Sequence, residues 1–264
     1  MSARKSLGQN FLLDLNLTGR IARAAGPLDR VNVVEIGPGP GGLTRALLLA
    51  DARHVTAIER DRRAIEALAE LALAFPDRLT VIEGDAMATA IAPLVPGPRK
   101  IVANLPYNIA TALLLRWLPD IAAFESLTLL FQKEVAERLA AAPRAKAYGR
   151  LSVMVQWRCT VRLLFDITPR AFVPPPKVTS TLVQLTPRSA PLAPCDDDAL
   201  ERITAAAFGQ RRKMLRQSLR ALGGDPMRIL TAAGIEPMAR AEEIAIEGFV
   251  ALANAFNANS AEGR

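Results

Sequence analysis

The feature that most constrains the fold is a glycine-rich turn between a predicted strand and a predicted helix. Val31 to Ile36 is a β-branched run typical of a buried strand, and Leu43 to about Ala50 has helical periodicity. Between them lies Gly37-Pro38-Gly39-Pro40-Gly41-Gly42. Such a turn lets the main chain approach a ligand and directs helix N–H groups towards it. The spacing also fits G-x-G-x-x-G, so a dinucleotide-dependent oxidoreductase is one interpretation, although a single match of this kind has low specificity.

The alternation of strands and helices continues after this turn. Six further strands are predicted at His54–Glu59, Leu79–Glu83, Lys100–Ala103, Ser126–Gln132, Arg158–Ile167 and Ser180–Leu185. The pattern predicts an α/β, Rossmann-like fold with a seven-stranded, mainly parallel sheet whose last strand is antiparallel. Pro187 to Asp198 is rich in proline and acidic residues, and the pattern after it is helical. We therefore expect two domains, residues 1–187 and a small all-α domain of residues 188–264.

Acidic residues stand at or near the ends of the first three strands, where an open α/β sheet binds its ligand. Glu59 lies about 20 residues after the glycines, where an acidic side chain binds ribose hydroxyls. Asp85 follows the third strand and can accept a hydrogen bond from an adenine amine. Glu35 precedes the glycines and suits a cationic group better than a pyrophosphate. Each alone is more often a solvated strand end, but together they predict a nucleoside cofactor.

The fourth strand leads into Asn104-Leu105-Pro106-Tyr107. An amide acceptor beside an aromatic ring suits a flat base with an exocyclic amine. Methyltransferases that act on such amines carry Asn/Asp-x-Pro-Tyr/Phe at this place, although ordinary strand-to-helix turns also use Asn and Pro. Phe172 begins a stiff segment with three consecutive prolines. This segment either holds the Phe172 ring at the cleft mouth or serves as a rigid connector.

The chain is basic, with a formal net charge of +7, which fits a polyanionic partner such as nucleic acid. Phe208 to Arg220 carries five basic residues and no acidic one, whereas a solvated helix face usually mixes both signs. A second basic segment, Pro143 to Arg150, contains one aromatic residue and is either a solvated loop or a contact for nucleic acid. The candidate RNA-binding residues are Arg144, Lys146, Tyr148, Arg150, Arg211, Arg212, Lys213 and Arg216.

Cysteine and histidine usage predicts neither a metal site nor a disulfide framework. The two cysteines, Cys159 and Cys195, are far apart, and His54 is the single histidine. This usage fits a reducing cytosol. The first ten residues lack an apolar signal core, and no apolar run reaches the ~20 residues that span a bilayer. We expect a soluble cytoplasmic protein with no membrane contact.

Taken in order, the motifs resemble those of the adenine-N6 dimethyltransferases of ribosomal RNA. The resemblance runs from about Gly8 to Leu222. It is carried by Gln9-Asn10-Phe11-Leu12, Glu35-Ile36-Gly37-Pro38-Gly39, Glu59, Asp85, Asn104-Leu105-Pro106-Tyr107 and Phe172 to Ser180. Resistance-type large-subunit enzymes share nearly all of these. Phe208-x-x-Arg211-Arg212-Lys213 and Tyr148 to Ser152 are similar to the small-subunit branch.

The resemblance implies an enzyme that uses S-adenosylmethionine, and we expect it to be a monomer. It would dimethylate two adjacent adenosines in the 3'-terminal hairpin loop of 16S rRNA, within the small ribosomal subunit. The donor would be held by Gln9, Asn10, Leu12, Glu35, Gly37, Gly39, Glu59, Asp85, Ala86 and Asn104. The target base would be held by Asn104, Leu105, Pro106, Tyr107 and Phe172, with the two rings stacking on it. The alternatives are a large-subunit dimethyltransferase, a DNA adenine methyltransferase, and a non-catalytic RNA-binding assembly factor of the same fold.

Overall fold

A computed structural model describes residues 9–262. Residues 1–8, which include Gly8 and the polar start of the chain, and residues 263–264 lie outside this description. The described chain forms two compact units. The first runs to Ala136 and resumes at Val161–Pro187, and the second comprises Glu137–Thr160 and the residues from Arg188 onwards. The division at Pro187 coincides with the expected boundary, but residues 137–160 group with the C-terminal helices.

The nine strands have the following bounds: β1 Phe11–Leu12, β2 Asn32–Ile36, β3 His54–Glu59, β4 Leu79–Glu83, β5 Arg99–Ala103, β6 Ser126–Gln132, β7 Cys159–Ile167, β8 Phe172–Val173 and β9 Ser180–Pro187. Seven form one sheet in the order β4-β3-β2-β5-β6-β9-β7. The first five strands in this order, β4, β3, β2, β5 and β6, are parallel to one another. Strand β9 is antiparallel to β6. The predicted seven-stranded, mainly parallel sheet with an antiparallel last strand is therefore confirmed.

The helices are α1 Leu15–Ala24, α2 Gly42–Leu49, α3 Arg62–Ala74, α4 Ile91–Leu94, α5 Tyr107–Trp117, α6 Lys133–Ala140, α7 Arg150–Arg158, α8 Asp197–Gly209, α9 Leu215–Ser218, α10 Pro226–Ala232 and α11 Ile246–Glu262. Single 3-10 turns lie at Ile121–Ala123, Pro169–Ala171, Leu219–Leu222 and Ala241–Glu243. After Pro187 the described residues form helices and turns, with one isolated bridge between Met214 and Arg240. The predicted helical C-terminal region is confirmed.

The core of the first unit follows from the β-branched and leucine-rich runs. All five residues of β2 are buried, because parallel strands covered on both faces leave no solvent side. Leu43, Leu47 and Leu48 of α2 pack into the same cluster as Val33 and Val55. Helix ends are set locally, as at α1, where the Asp14 carboxylate accepts the N–H groups of the first turn at 2.8 and 3.2 Å. The sheet is thus a rigid frame for the loops at its carboxyl edge.

Three aromatic rings pack against one another in the second unit. Tyr148 meets Phe208 edge to face at a centroid distance of 5.9 Å, and Phe208 lies 5.3 Å from Phe249. The Tyr148 hydroxyl donates to the Ile244 carbonyl at 2.9 Å, which satisfies a buried polar group. The loop that precedes α7 is therefore tied into the helical unit through its aromatic residue.

Candidate functional site

The carboxyl ends of β2, β3, β4 and β5 meet at one edge of the sheet, because the four strands are parallel neighbours. A cleft opens there, and all but one of the predicted donor-binding and base-binding residues line it. Those lining residues are Gln9, Asn10, Leu12, Glu35, Gly37, Gly39, Glu59, Asp85, Ala86, Asn104, Leu105, Pro106 and Tyr107. The cleft also includes Phe11 and Arg60, to which the sequence analysis gave no role.

Two glycines let the N-terminal segment lie directly on the glycine-rich turn. Gly39 has a φ of +55°, and a Cβ there would lie 2.7 Å from the Phe11 ring. A Cβ on Gly42 would lie 2.6 Å from the Leu12 carbonyl oxygen. Because real Cβ contacts are never this short, both positions require glycine while β1 lies over the turn. The N-terminal segment and the glycine-rich turn therefore form one surface.

Glu59 is buried and held by three main-chain N–H groups. Its Oε2 accepts from Gly39 at 3.2 Å, and its Oε1 accepts from Arg60 and Asp61 at 2.8 and 2.9 Å. A carboxylate fixed in this way keeps lone pairs for further donors. It suits a pair of ligand hydroxyls, and it also holds the end of β3 to the glycine-rich turn.

Asp85 is an exposed carboxylate beside a cation that the sequence analysis missed. Its Oδ1 accepts from the Met87 N–H at 2.9 Å, and its Oδ2 lies 3.8 Å from the Arg60 guanidinium. Both side chains are about half exposed, so this ion pair is weak. The position of Arg60 directly after Glu59, the residue at a strand end, was the signal that could have placed it in the cleft wall.

Glu35 is the electrostatic anomaly of the cleft, since its side chain is 2% exposed and its Oε2 has no partner among the described residues. Burial raises the pKa of Glu35 to about 8, the Thr44 hydroxyl opposes this rise, and Glu59 adds to it. A buried carboxyl oxygen without a hydrogen-bond partner is unusual, and a cation or a donor from a ligand would satisfy it. The site therefore fits a ligand with a positively charged group at this end.

The Asn104 amide has a defined orientation. Its Nδ2 donates to the main-chain carbonyl of Asn10 at 2.8 Å. A carbonyl can only accept, so the amide nitrogen must face Asn10 and the Oδ1 must point away from it. No described residue donates to that Oδ1, which leaves it as an available acceptor in the cleft. This is the atom that the predicted chemistry requires.

Tyr107 is the first residue of α5, and its half-buried ring lies at the cleft. Its hydroxyl and the Ser180 hydroxyl share a hydrogen bond of 2.5 Å. Burial raises the pKa of Tyr107, against a smaller opposite effect of Ser180, so the hydroxyl stays neutral. Ser180 ends the motif that begins at Phe172, and no role for it was predicted from the sequence.

The segment Gln9–Leu12 is held at its start by the Gln9 side chain. The Gln9 amide donates to Asp61 Oδ2 at 3.1 Å, and Asp61 also receives two hydrogen bonds from the Arg63 guanidinium at 3.0 and 2.6 Å. Arg63 and Gln9 hold the pKa of the Asp61 carboxyl far below its usual range. Asp61 is thus a permanent anion at which the N-terminal segment is fastened.

Phe172 does not line the cleft, contrary to the expectation that it covers a bound base. Its ring is 2% exposed and belongs to the hydrophobic core of the first unit. The reason is the two-residue antiparallel pairing of β1 with β8, which sets Phe172 opposite Leu12 and Val173 opposite Phe11. Successive strand residues point to opposite faces, so Phe172 faces inwards while Val173 is exposed.

The predicted RNA-binding residues fall into two groups, all within the second unit. Three are engaged in the fold: Tyr148 is fully buried, Arg150 pairs with Glu201, and Arg211 donates to Glu242 at 2.9 Å and to the Lys146 carbonyl at 2.8 Å. The remaining five are exposed and form no ion pair with any described residue, namely Arg144, Lys146, Arg212, Lys213 and Arg216. Tyr148 is therefore corrected from a predicted RNA contact to a core residue.

Contacts of the residues engaged in the fold bring four of these five exposed cations, Arg144, Lys146, Arg212 and Lys213, near one another. Arg211 joins the loop around Lys146 to Glu242, and the Arg144 N–H donates to the Glu242 carbonyl at 2.7 Å. The exposed Arg212 and Lys213 follow Arg211 directly. We call Arg144, Lys146, Arg212, Lys213 and Arg216 the basic surface.

Two further observations bear on the class of site. Among residues 9–262 no three His, Cys, Asp or Glu side chains converge as metal ligands, and both cysteines are free thiols. No helix in the described part of the chain combines the length and apolarity that crossing a bilayer requires.

Comparisons with known proteins agree with the site. The family described as ribosomal RNA adenine dimethylase matches residues 1–258. Ribosomal RNA small subunit methyltransferase A of Xanthobacter autotrophicus is 64% identical over 260 residues, which cover 97% of this chain and 90% of that protein. The protein of the same name from Paramagnetospirillum magneticum is 64% identical over 263 residues, covering 100% and 93%.

Solved structures show the same fold. A dimethyladenosine transferase from Plasmodium falciparum superposes with a TM-score of 0.82 at 26% identity, over 95% of this chain and 98% of that one. The 23S rRNA methyltransferase ErmE superposes with a TM-score of 0.68 at 28% identity, over 94% and 100%. Family, sequence relatives and fold all point the same way, and this chain belongs to the ribosomal RNA adenine dimethylase family.

Proposed function

We propose that this protein transfers methyl groups from S-adenosylmethionine to the N6 amines of two adjacent adenosines in the 3'-terminal hairpin loop of small-subunit rRNA. It does so as a cytoplasmic monomer during subunit assembly. The single observation that carries the proposal is the hydrogen bond from Asn104 Nδ2 to the Asn10 carbonyl. It leaves one oriented amide oxygen beside Tyr107 in a cleft built for a nucleoside.

The residues present fit the proposed donor. Glu35 offers an unpartnered carboxyl oxygen, and a cationic amino group beside it would favour its ionised form. Glu59 offers a fixed carboxylate to two hydroxyls. Asp85 offers an exposed carboxylate to an exocyclic amine. Gly39 and Gly42 let Phe11 and Leu12 lie directly on the glycine-rich turn at the edge of the cleft. When bound, the donor supplies an electrophilic methyl group on a sulfonium.

The residues of this chain address the weak nucleophilicity of the target amine. The adenine lone pair is delocalised into the ring, so the nitrogen must be pulled out of conjugation. Asn104 Oδ1 and the Leu105 main-chain carbonyl accept its two hydrogens, which directs the lone pair towards the methyl group. Positive charge that develops on the nitrogen is stabilised by these two dipoles, already oriented before the reaction. The excess proton can leave to water afterwards, so no side-chain base is required.

Tyr107 supplies a stacking face for the base, which must first leave its own stack. Positioning of the amine against the methyl group accounts for much of the expected rate, on the order of 7 kcal/mol or more in favourable cases. In the second unit, the basic surface offers five exposed cations to phosphates. Its exposed arginines and lysines are chemically suited to rRNA of any sequence.

The branch of the family follows from identity. Relatives named for the small subunit are 64% identical to this chain, whereas ErmE, named for 23S rRNA, is 28% identical. We therefore favour the small subunit over the large one as substrate. The intact acceptor side chains, Asn104 and Tyr107, disfavour a non-catalytic assembly factor.

The experiment measures methyl transfer from labelled S-adenosylmethionine to three substrates. These are small subunits purified without the two adenosine modifications, large subunits, and naked DNA. We expect transfer of up to four methyl groups per small subunit and none to the other two. Transfer to large subunits or to DNA, or none to small subunits, would refute the proposal.

The Asn104→Ala variant tests the proposed catalytic role of the Asn104 side chain. Its lost carbonyl acts on charge that appears only as the methyl moves, so we expect a fall in transfer rate of roughly 10²–10³-fold. Donor affinity, measured by calorimetry, should fall far less than the transfer rate. If Asn104→Ala kept a near-normal single-turnover rate, the acceptor role would belong to another residue.

A further inference from the structure

Both side chains of the proposed acceptor motif are held by residues outside that motif. Asn104 is held through its amide nitrogen by the Asn10 carbonyl, as described above. Tyr107 is held through its hydroxyl by Ser180 at 2.5 Å. The second contact involves a residue with no assigned role, at the far end of the ring from the helix that carries it.

Ser180 is a rigid partner. It is fully buried and is the first residue of β9, where its Cα pairs in register with Gln132 of β6. The neighbouring Thr181 is fixed as well, since its hydroxyl donates to Asp166 Oδ1 at 2.7 Å. The Ser180 hydroxyl therefore has a fixed origin in the sheet, with only its own side-chain rotation left.

Tyr107, by contrast, has freedom that this bond removes. The start of α5 fixes its Cα, but its half-buried ring lies beside an open cleft and can turn about two side-chain torsions. A hydrogen bond at the phenolic oxygen restrains both torsions together. The plane on which a base would stack is thus set by β9, on the opposite side of the acceptor cleft from the glycine-rich turn.

We propose that Ser180 is a positioning residue that holds the plane of the Tyr107 ring for the target adenine. This inference rests on the proposed function and deepens it. Without the hydroxyl, the ring must be ordered each time that a base enters, and the base loses part of its stacking. Capture of the adenine and methyl transfer both weaken, whereas donor binding does not change, because Ser180 is not part of the donor side of the cleft.

The expected size follows from one neutral hydrogen bond, which corresponds to about a 2- to 13-fold effect. Ser180→Ala and Tyr107→Phe each remove the same bond from one end. We therefore expect each variant to lower the single-turnover transfer rate at subsaturating RNA by a similar factor within this range. The double variant should be no slower than either single variant, because the bond can be lost only once.

The experiment is this double-mutant cycle, measured on rRNA or small subunits with S-adenosylmethionine. Base capture is followed with 2-aminopurine at the target position in a hairpin RNA, since stacking on the tyrosine ring quenches its fluorescence. Calorimetry gives donor affinity. The wild type must first methylate small subunits, and Tyr107→Ala must lose transfer. Failure of these two results would count against the proposed function and not specifically against the role of Ser180.

Thr181→Val is the matched control, because it removes a buried hydroxyl hydrogen bond one residue further along β9, on the opposite face. It should lower the melting temperature yet keep transfer and 2-aminopurine quenching. If Ser180→Ala failed to fold, Tyr107→Phe compared with Thr181→Val would still test the bond. Independent, multiplying effects of Ser180→Ala and Tyr107→Phe, an unchanged rate in both, or an equal loss of donor affinity would overturn the inference.

Discussion

Replacement of Glu35 by glutamine should stabilise the donor-free protein and weaken its binding of the donor. The reason is that burial raises the pKa of Glu35 to about 8, from an ordinary value of 4.5. The folded protein thus holds the proton of this carboxyl group more tightly than the unfolded chain does. Its contribution to stability is complete below pH 4.5 and is lost as the pH rises towards 8.

The magnitude follows from these two pKa values. Each tenfold change in proton affinity is worth about 1.4 kcal/mol, so at pH 7 the wild type has lost about 3 kcal/mol of its stability at low pH. Glutamine matches the protonated carboxyl in size and does not titrate. We expect Glu35→Gln to equal the wild type near pH 4 and to exceed it by about 3 kcal/mol at pH 7. That corresponds to a melting temperature about 6–12 °C higher.

The same carboxyl group should affect donor binding in the opposite direction, because there its ionised form is favourable. A cationic amino group beside Glu35 favours the carboxylate, so the wild type should release close to one proton per donor bound at pH 7. Calorimetry in two buffers of different ionisation enthalpy measures this release. Glu35→Gln should bind the donor more weakly and release no proton.

The assay is thermal unfolding of both proteins between pH 4 and pH 8. Glu66→Gln is the control, because it removes an exposed carboxylate of α3 that pairs with no described residue. Its effect should stay small across the range. A stability difference between Glu35→Gln and the wild type that does not grow with pH would show that Glu35 titrates normally, and the reasoning from its burial would fail.

Two further contrasts test the remaining assignments. Glu59→Ala leaves three main-chain N–H groups without their acceptor and should lower the melting temperature by several degrees, whereas Asp85→Ala should melt like the wild type. Both variants should weaken donor binding. For Asp85→Ala we expect a loss of about 10- to 150-fold, measured by calorimetry. Arg211→Ala should destabilise the second unit because it loses Glu242, whereas Arg212→Ala should keep its melting temperature. Arg212→Ala should also lower RNA affinity and reduce the salt dependence of binding by about one ion. Equal melting temperatures within either pair would contradict the assigned contacts.

The sheet was predictable from sequence because its strands are runs of five to nine residues that are rich in apolar and β-branched side chains. His54–Glu59 and Leu79–Glu83 were predicted with the bounds that the structure has, and the glycine-rich turn indicated the start of α2. Periodicity over five or more residues carries this information locally. The acidic residues at the strand ends also needed no tertiary knowledge, since parallel neighbours bring their carboxyl ends together.

The pairing of β1 with β8 was beyond the reach of the sequence. Each has two residues, too few for any periodicity, and the paired residues are 162 positions apart for Phe11 with Val173 and 160 for Leu12 with Phe172. This pairing decides that Phe172 faces the core. Tyr148 was misjudged for a similar reason, because an aromatic residue in a basic loop can face either solvent or a neighbouring helix, and contacts with Phe208 and Ile244 decide.

The same argument explains why residues 137–160 group with the C-terminal helices. Their attachment consists of contacts across long sequence separations, such as Arg150 with Glu201 and Arg158 with Asp197. The proline-rich boundary at residue 187 is visible in the sequence, but a loop and a helix that leave the sheet between β6 and β7 carry no local mark of where they pack.

The cleft shows how such long-range contacts produce a specific site from common parts. Asn104 and Tyr107 occur in many strand-to-helix turns, and their identity alone does not orient an amide oxygen or a ring. Orientation comes from the Asn10 carbonyl on one side and the Ser180 hydroxyl on the other. Asn10 is in turn held by its neighbours, where Gln9 bonds the permanent anion Asp61 and Phe11 lies against Gly39. The same short segment lines the proposed donor side of the cleft and bonds Asn104 on the proposed acceptor side. Displacing residues 9–12 should therefore disorder both sides at once, which substitution of either side alone would not do.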